Sequence, residues 1–364
     1  MNKNLYVDFH VLQTVPPSCV NRDDTGSPKT AVYGGTLRAR VSSQAWKRAM
    51  RLMFKDLFSS EWVGYRTRKM KDLVTDKICM EHPDIDKESA GKMASRILAV
   101  GDVKADESKK DVLFFVSSLQ IDSLAKLAVE YENDTSEKKE KEKVFKSRVE
   151  HALKENPSVD ILLFGRMAAS NPSLNFDAAA QVAHSISTHT IANEYDYFTA
   201  VDDCTPEDDS GAGHIGTVEF NSSTLYRYAT LNIRELAQTL QPDELKLAVK
   251  GFAESFVRSM PTGRQNPFAN RTLPDMVYVT FREDQPVNLV GAFEKPVTSQ
   301  GGYVGESKKA FISYAKEVYG NFVNMPQKAW IVGTEDGDFA VKINFAELLD
   351  EIGTGIGQYC AEGK

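Results

Sequence analysis

TLRARVSSQAWKRAM, residues 36–50, reads as a strand that turns directly into a helix. Alternation in TLRARV places Arg38 and Arg40 on one side of a short strand. Ser42 or Ser43 then offers a hydroxyl to the unpaired N–H groups that begin a helix. The helix is expected to run to about Phe58, with Trp46, Met50, Met53, Phe54 and Leu57 as its dry stripe. Gln44, Lys47 and Arg51 fall at i, i+3 and i+7 on the wet side, and Arg48 broadens that face.

Upstream, LYVDFHVL (5–12) alternates as a strand with Leu5, Val7, Phe9 and Val11 on one side. A breaker-rich loop follows and carries Arg22 and Lys29. Residues 1–51 hold eight Lys or Arg against three Asp, although the whole chain has formal charge -7. The acidic average disfavours loose adhesion to nucleic acid, whereas this local excess can cradle phosphate oxygens. Helix-start N–H groups near Ser42, Ser43 and Gln44 add neutral donors and the positive end of a dipole. A solvated basic helix face is the plain alternative.

Downstream, residues 61 to about 183 read as mainly helical. ENDTSEKKEKEK is an exposed loop or helix surface whose charges largely cancel. DILLFGRMAAS is expected to be a short buried strand and a turn, and FDAAAQVAHSIST is compatible with helix or strand. Residues 194–219 carry eight carboxylates and no Lys or Arg, with Gly211, Gly213 and Gly216 marking turns or a hairpin tip. GTVEFNSSTLYRYATLNI, MVYVTF and AWIVGT read as strands; about Pro242–Val257 and FISYAKEVYGNFV read as helices. No fixed-period repeat stands out.

The 364 residues, 41% apolar and 26% charged, suffice for one large or two ordinary domains and do not read as disordered. Cys19, Cys79, Cys204 and Cys360 lie too far apart for a zinc ribbon or dense disulfide scaffold. No run approaches a membrane span, so a cytoplasmic location without membrane partners is expected.

Other basic candidates are Lys308 and Lys309 after a Gly-rich turn, and Arg264 between Arg258 and Arg271 in a polar loop. Neither glycine cluster is a nucleotide motif: GGYVGESKK lacks Walker spacing, and GAGHIG has the glycine spacing but acidic surroundings. Asp23 and Asp24 could serve a metal-dependent nuclease, though loop capping explains them as well. His184 and His189 lack zinc-hydrolase spacing, and Asp202, Asp203, Asp208 and Asp209 read as a solvated hairpin as readily as a cation site. No nucleophile–base pair can be assigned. Three classes stay open: a nucleic-acid-binding subunit, an RNA endonuclease using Asp23 or Asp24, and a self-assembling structural protein. RNA cleavage or guide co-purification would separate them.

The linked segments SCVNRDD, YGGTLRARVSSQAWKRAM, VDILLFGRMA, NFDAAAQVAHSIST, YDYFTAVDD, GAGHIGTVEFNSSTLYRY and PTGRQNPFANRTLPD resemble the CasC backbone subunits of type I-E CRISPR surveillance complexes, called Cascade. The resemblance covers nearly the whole chain in one order. It implies an α/β fold: a modified RNA-recognition-motif, or ferredoxin-like, palm with inserted helical fingers and a thumb hairpin. The implied boundaries are 1–59 and 224–364 for the palm, 183–193 for its connection, 60–182 for the fingers and 194–223 for the thumb. It further implies no enzyme activity and no cofactor or metal. The implied role is to bind and segment CRISPR guide RNA (crRNA), supporting complementary target DNA pairing and R-loop formation in antiviral defence. Implied partners are adjacent copies, other Cascade subunits and a separate recruited nuclease–helicase. Arg22, Lys29, Ser42, Gln44, Lys47 and Arg51 match the guide-binding surface, the cations on phosphates and Ser42 and Gln44 as neutral partners. Met167 matches a position beside the interrupted base path, and Thr199 or Val201 a thumb contact. Arg264, Lys308 and Lys309 complete the expected RNA-binding set.

Overall fold

A computed structural model describes residues 3–103, 113–168, 171–200, 214–334 and 338–362. The chain opens with β1 (Tyr6–Ser18), β2 (Thr30–Tyr33), β3 (Thr36–Val41) and α1 (Ser43–Leu57). It continues through β4 (Tyr65–Thr67), α2 (Met70–Glu81), α3 (Lys87–Val100), β5 (Phe114–Val116), α4 (Ser118–Asn133), α5 (Lys138–Lys154) and α6 (Val159–Phe164). Then come β6 (Ala180–Val182), β7 (Ser185–Ser187), β8 (Glu194–Ala200), β9 (His214–Asn232), α7 (Ile233–Leu236), α8 (Pro242–Arg258) and α9 (Gln265–Phe268). The last elements are β10 (Met276–Arg282), α10 (Val304–Asn321), β11 (Lys328–Val332), β12 (Val341–Lys342) and α11 (Phe345–Glu362). Two compact units result, one from residues 1–53 with 181–364, the other from residues 54–180.

The first unit is built on a sheet with the order β12-β11-β10-β1-β9-β7-β3-β2, with β6 and β8 also paired to β9. β1 lies at its centre, antiparallel to β9 and β10, with Phe9 opposite Ala229 and Val279. Val7, Phe9 and Val11 face one side, where Phe252 and Phe256 of α8 pack on Phe9. The other side is covered as well: His10 packs against Tyr226, Tyr228, Tyr278 and Phe311 of α10. A strand covered on both faces carries polar groups at least cost where they find partners. His10 Nδ1 meets the Tyr226 hydroxyl at 2.8 Å, while Asp8 accepts from the Tyr228 hydroxyl at 3.1 Å and the Val287 N–H at 2.9 Å. Burial pushes the Asp8 carboxyl up to about 6 and the His10 imidazole down to about 3.

The second unit is mainly helical and has its own core, with Val74, Ile78, Ile97, Leu124 and Val149 among its members. Ser117 and Gln120 close a reciprocal capping box at the start of α4. DILLFG is not the expected strand: it forms α6, with Val159 to Leu163 all buried. Six residues, five of them apolar, carry too little periodicity to separate a buried strand from a buried helix turn. FDAAAQVAHSIST yields the short strands β6 and β7, and the charge-rich run spans the end of α4, an exposed connection and the start of α5.

Candidate nucleic-acid interface

α1 is held by its dry stripe. Trp46 is 1% exposed and donates its Nε1–H to Ser185 Oγ on β7 at 2.9 Å. The Arg227 guanidinium, from β9, lies over the Trp46 ring at 3.7 Å and also over Phe256. Arg227 is fully buried; it donates to Gln13 Oε1 at 2.6 Å and to the Phe256 carbonyl, and burial lowers its pKa to about 9. This anchoring leaves Gln44 and Arg48 exposed and Lys47 and Arg51 half-buried on the outer side of the helix. Burial also lowers Lys47 below the ordinary lysine value. Ser42 is buried; its carbonyl accepts the Ala45 and Trp46 N–H groups, and its own N–H donates to Asn21 Oδ1 at 2.9 Å.

That last bond ties the start of α1 to the Arg22 loop. Within the loop, Asp23 Oδ1 accepts from the Thr25 N–H at 3.0 Å, the Thr25 hydroxyl at 2.7 Å and the Ser27 N–H at 3.0 Å. These bonds, the Thr25 hydroxyl first, hold the Asp23 carboxyl below its usual range. Asp23 thus organises the turn that displays exposed Arg22. Among the described residues no group of three or more His, Cys, Asp or Glu could hold a metal ion. The 260–264 segment closes against the same loop, because Gly263 lets the chain approach Val20 closely: a Cβ there would lie 2.0 Å from the Val20 carbonyl oxygen. Arg264 follows in a left-handed conformation, φ 44°. An open cavity of about 520 Å³ lies among Arg22, Asp24, Arg48, Leu52, Met260 and Thr262.

The strand before α1 divides its two arginines. Arg38, read as part of the basic surface, is buried: it donates to Thr36 Oγ1, Ser187 O and Phe293 O, each at 2.9 Å. Arg40 is half-buried, donates Nε–H to Thr30 O at 2.9 Å, and meets His184 Nδ1 at 3.3 Å. Lys29, half-buried, accepts the Arg40 N–H at its carbonyl. The structure therefore brings Arg22, Lys29, Ser42, Gln44, Lys47, Arg51 and Arg264 onto connected segments of one unit. It adds Arg40 and His184, which sequence spacing did not mark as one group; their closeness comes from the pairing of β3 with β7, Arg40 opposite Ile186.

The remaining candidates lie elsewhere. Met167 belongs to the second unit and is 79% exposed. Its neighbour Arg166 is buried and donates to Leu174 O, Phe115 O, Gln120 Oε1 and Leu153 O, which fixes the backbone that presents Met167. Thr199 is exposed on β8, which pairs with β9 from Glu194↔Phe220 to Ala200↔His214. Val201, Asp202, Asp203, Cys204, Asp208 and Asp209 lie outside the described residues. Lys308 donates to Gly333 O at 2.6 Å and Lys309 pairs with Glu306 at 2.9 Å; both border a separate open cavity of about 710 Å³ with Lys316. Among the described residues no helix is long and apolar enough to cross a membrane.

A family model described as CT1975-like protein matches residues 7–352. A chain of a solved "CRISPR RNA-guided surveillance complex, pre-nicking" is similar at 30% identity and TM-score 0.82, covering 96% of this chain and 100% of that one. A chain of a "CRISPR RNA-guided surveillance complex" is similar at 27% identity and TM-score 0.74, covering 96% and 99%. No curated protein sequence matches.

Proposed function

The chain belongs to the CT1975-like protein family, and from that premise we propose that it is a CasC-type backbone subunit of a type I-E CRISPR Cascade complex. Repeated copies bind and segment the guide RNA and hold it open for pairing with complementary target DNA, so that an R-loop forms. Similarity over 96% of the chain to chains of RNA-guided surveillance complexes carries this reading. The palm is assigned to residues 1–59, 183–193 and 224–364, the helical fingers to 60–182 and the thumb to 194–223.

On this reading Arg22, Lys29, Lys47 and Arg51 neutralise phosphates, with Ser42 and Gln44 supplying neutral hydrogen-bonding groups and Arg264 a further cation. Such contacts set register and affinity, and sequence is read by base pairing with the guide. Met167 offers a polarizable thioether to a nucleobase, Thr199 and Val201 act at the thumb, and Lys308 and Lys309 provide a second basic contact. The work is binding without turnover; cleavage falls to a recruited nuclease–helicase. The bonds that Asp23 makes within its own loop favour this over a metal-dependent nuclease.

The test is expression of the chain with its companion subunits and a CRISPR transcript, followed by purification and nuclease footprinting. A guide protected at regular intervals is the expected result. Assembled particles free of RNA, or RNA cut at a site lost in Asp23→Ala or Asp24→Ala, would overturn the reading.

A further inference from the structure

Beside α1, Arg40 of β3 and His184 in the β6–β7 connection meet through Nη1 and Nδ1 at 3.3 Å. An arginine N–H needs a lone pair to accept it, so this contact selects neutral His184 with its proton on Nε2. Arg40 is fixed along its other edge by the Nε–H bond to Thr30 O. Among the described residues, the charged groups acting on His184 are Arg40 from β3 and Lys29 from the segment before β2, both cations. Burial first, then Arg40 and Lys29, hold the imidazole below its ordinary value. No carboxylate pairs with Lys29 or Arg40 among the described residues, so the cluster lacks a counter-charge.

We propose that Lys29, Arg40 and His184 form a proton-linked phosphodiester subsite for single-stranded RNA. This rests on the guide-binding reading and deepens it. When a phosphate oxygen enters, Nδ1 of His184 takes one proton from solvent and the ring becomes an imidazolium. The imidazolium has no lone pair for Arg40, so the Arg40 Nη1–H turns to the phosphate, and the His184 N–H groups become charge-assisted donors. RNA binding at this point takes up a proton, and a lower pH favours the bound state.

The experiment uses the full chain and a fluorescein-labelled oligouridine, with affinity measured near pH 8 and near pH 6 at fixed ionic strength. Wild type should bind about three- to tenfold more tightly near pH 6, since each pKa unit by which phosphate raises the imidazole is worth a factor of up to ten. His184→Gln should lose that gain, binding oligouridine equally near pH 6 and near pH 8. Arg40→Gln should reduce the magnitude of the salt slope by about 0.7, and Arg40→Lys should restore it. The His184 ring signals in NMR should report a pKa that rises when oligouridine is added. A gain that persists in His184→Gln, or a His184 pKa unmoved by RNA, sinks the subsite. If, in that case, Lys47→Ala/Arg51→Ala still weakens binding, the guide-binding reading stands without it. Failure of the wild-type chain to bind oligouridine under any of these conditions removes both.

Discussion

Asp8 and His10 lie two residues apart on one face of β1, buried among tyrosines, and their pKa values move in opposite directions. Asp8 is raised to about 6, so its contribution to stability is complete below about 4 and is lost as pH rises through 6. His10 is lowered to about 3, so its contribution is complete above about 6.5 and is lost as pH falls toward 3. Between about pH 4 and 6 the native pair keeps one proton on Asp8 while the unfolded pair keeps one on His10, and the two effects cancel. Relative to wild type, Asp8→Asn should therefore make stability rise across this window by roughly 1 kcal/mol per pH unit, and His10→Gln should make it fall by a similar amount. Urea unfolding at several pH values reads both slopes; slopes of the same sign would refute the pairing. At the surface, Lys47→Ala/Arg51→Ala should flatten the RNA salt slope by about 1.4 while the fold persists. Equal slopes for wild type and the double variant would remove both residues from the phosphate clamp.

Among the elements, α1 was readable because its period separates Trp46 and Met50 from Gln44 and Arg48. Arg38 was not: alternation puts it beside Arg40, but its cover comes from Ser187 and Phe293, 149 and 255 residues away. Nor did the loop sequence show why Gly263 must be glycine, since the obstructing atom belongs to Val20. Gly263→Ala should cost roughly 1–3 kcal/mol, because backbone must shift to admit the methyl group. It should also weaken RNA binding by displacing Arg22 and Arg264; unchanged melting temperature and affinity would contradict the close approach. For the β8–β9 hairpin, the pairing Ala200↔His214 sets a clean excision point. Replacing residues 201–213 with Asn-Gly supplies a two-residue turn that keeps the flanking register. Regular protection of the guide should be lost in the assembled particle, with oligouridine binding by the single chain retained. Undisturbed periodic footprints would exclude a spacing role for the tip.

At the scale of the molecule, two units with separate hydrophobic clusters should not lose structure as one. Leu124→Ala opens the core of the second unit and should cost it about 2–5 kcal/mol. Scanning calorimetry should show one transition moving down while the other holds; a single transition that shifts intact would mean that the units unfold together. The helical character of residues 61–183 was legible in composition. The sheet order was not, because β1 pairs with strands more than 200 residues downstream whose positions no local pattern encodes.

The second unit interrupts a sheet between strands that are themselves neighbours, since β3 and β7 are hydrogen-bonded across Arg40 and Ile186. The long excursion departs within α1 and returns at β6, so the chain on either side of it still supplies neighbouring strands, much as a parenthesis leaves the sentence around it grammatical. Relatives can lengthen, shorten or exchange that passage without re-threading a single strand, which makes it a natural place for lineages to diverge and for a reporter to be grafted.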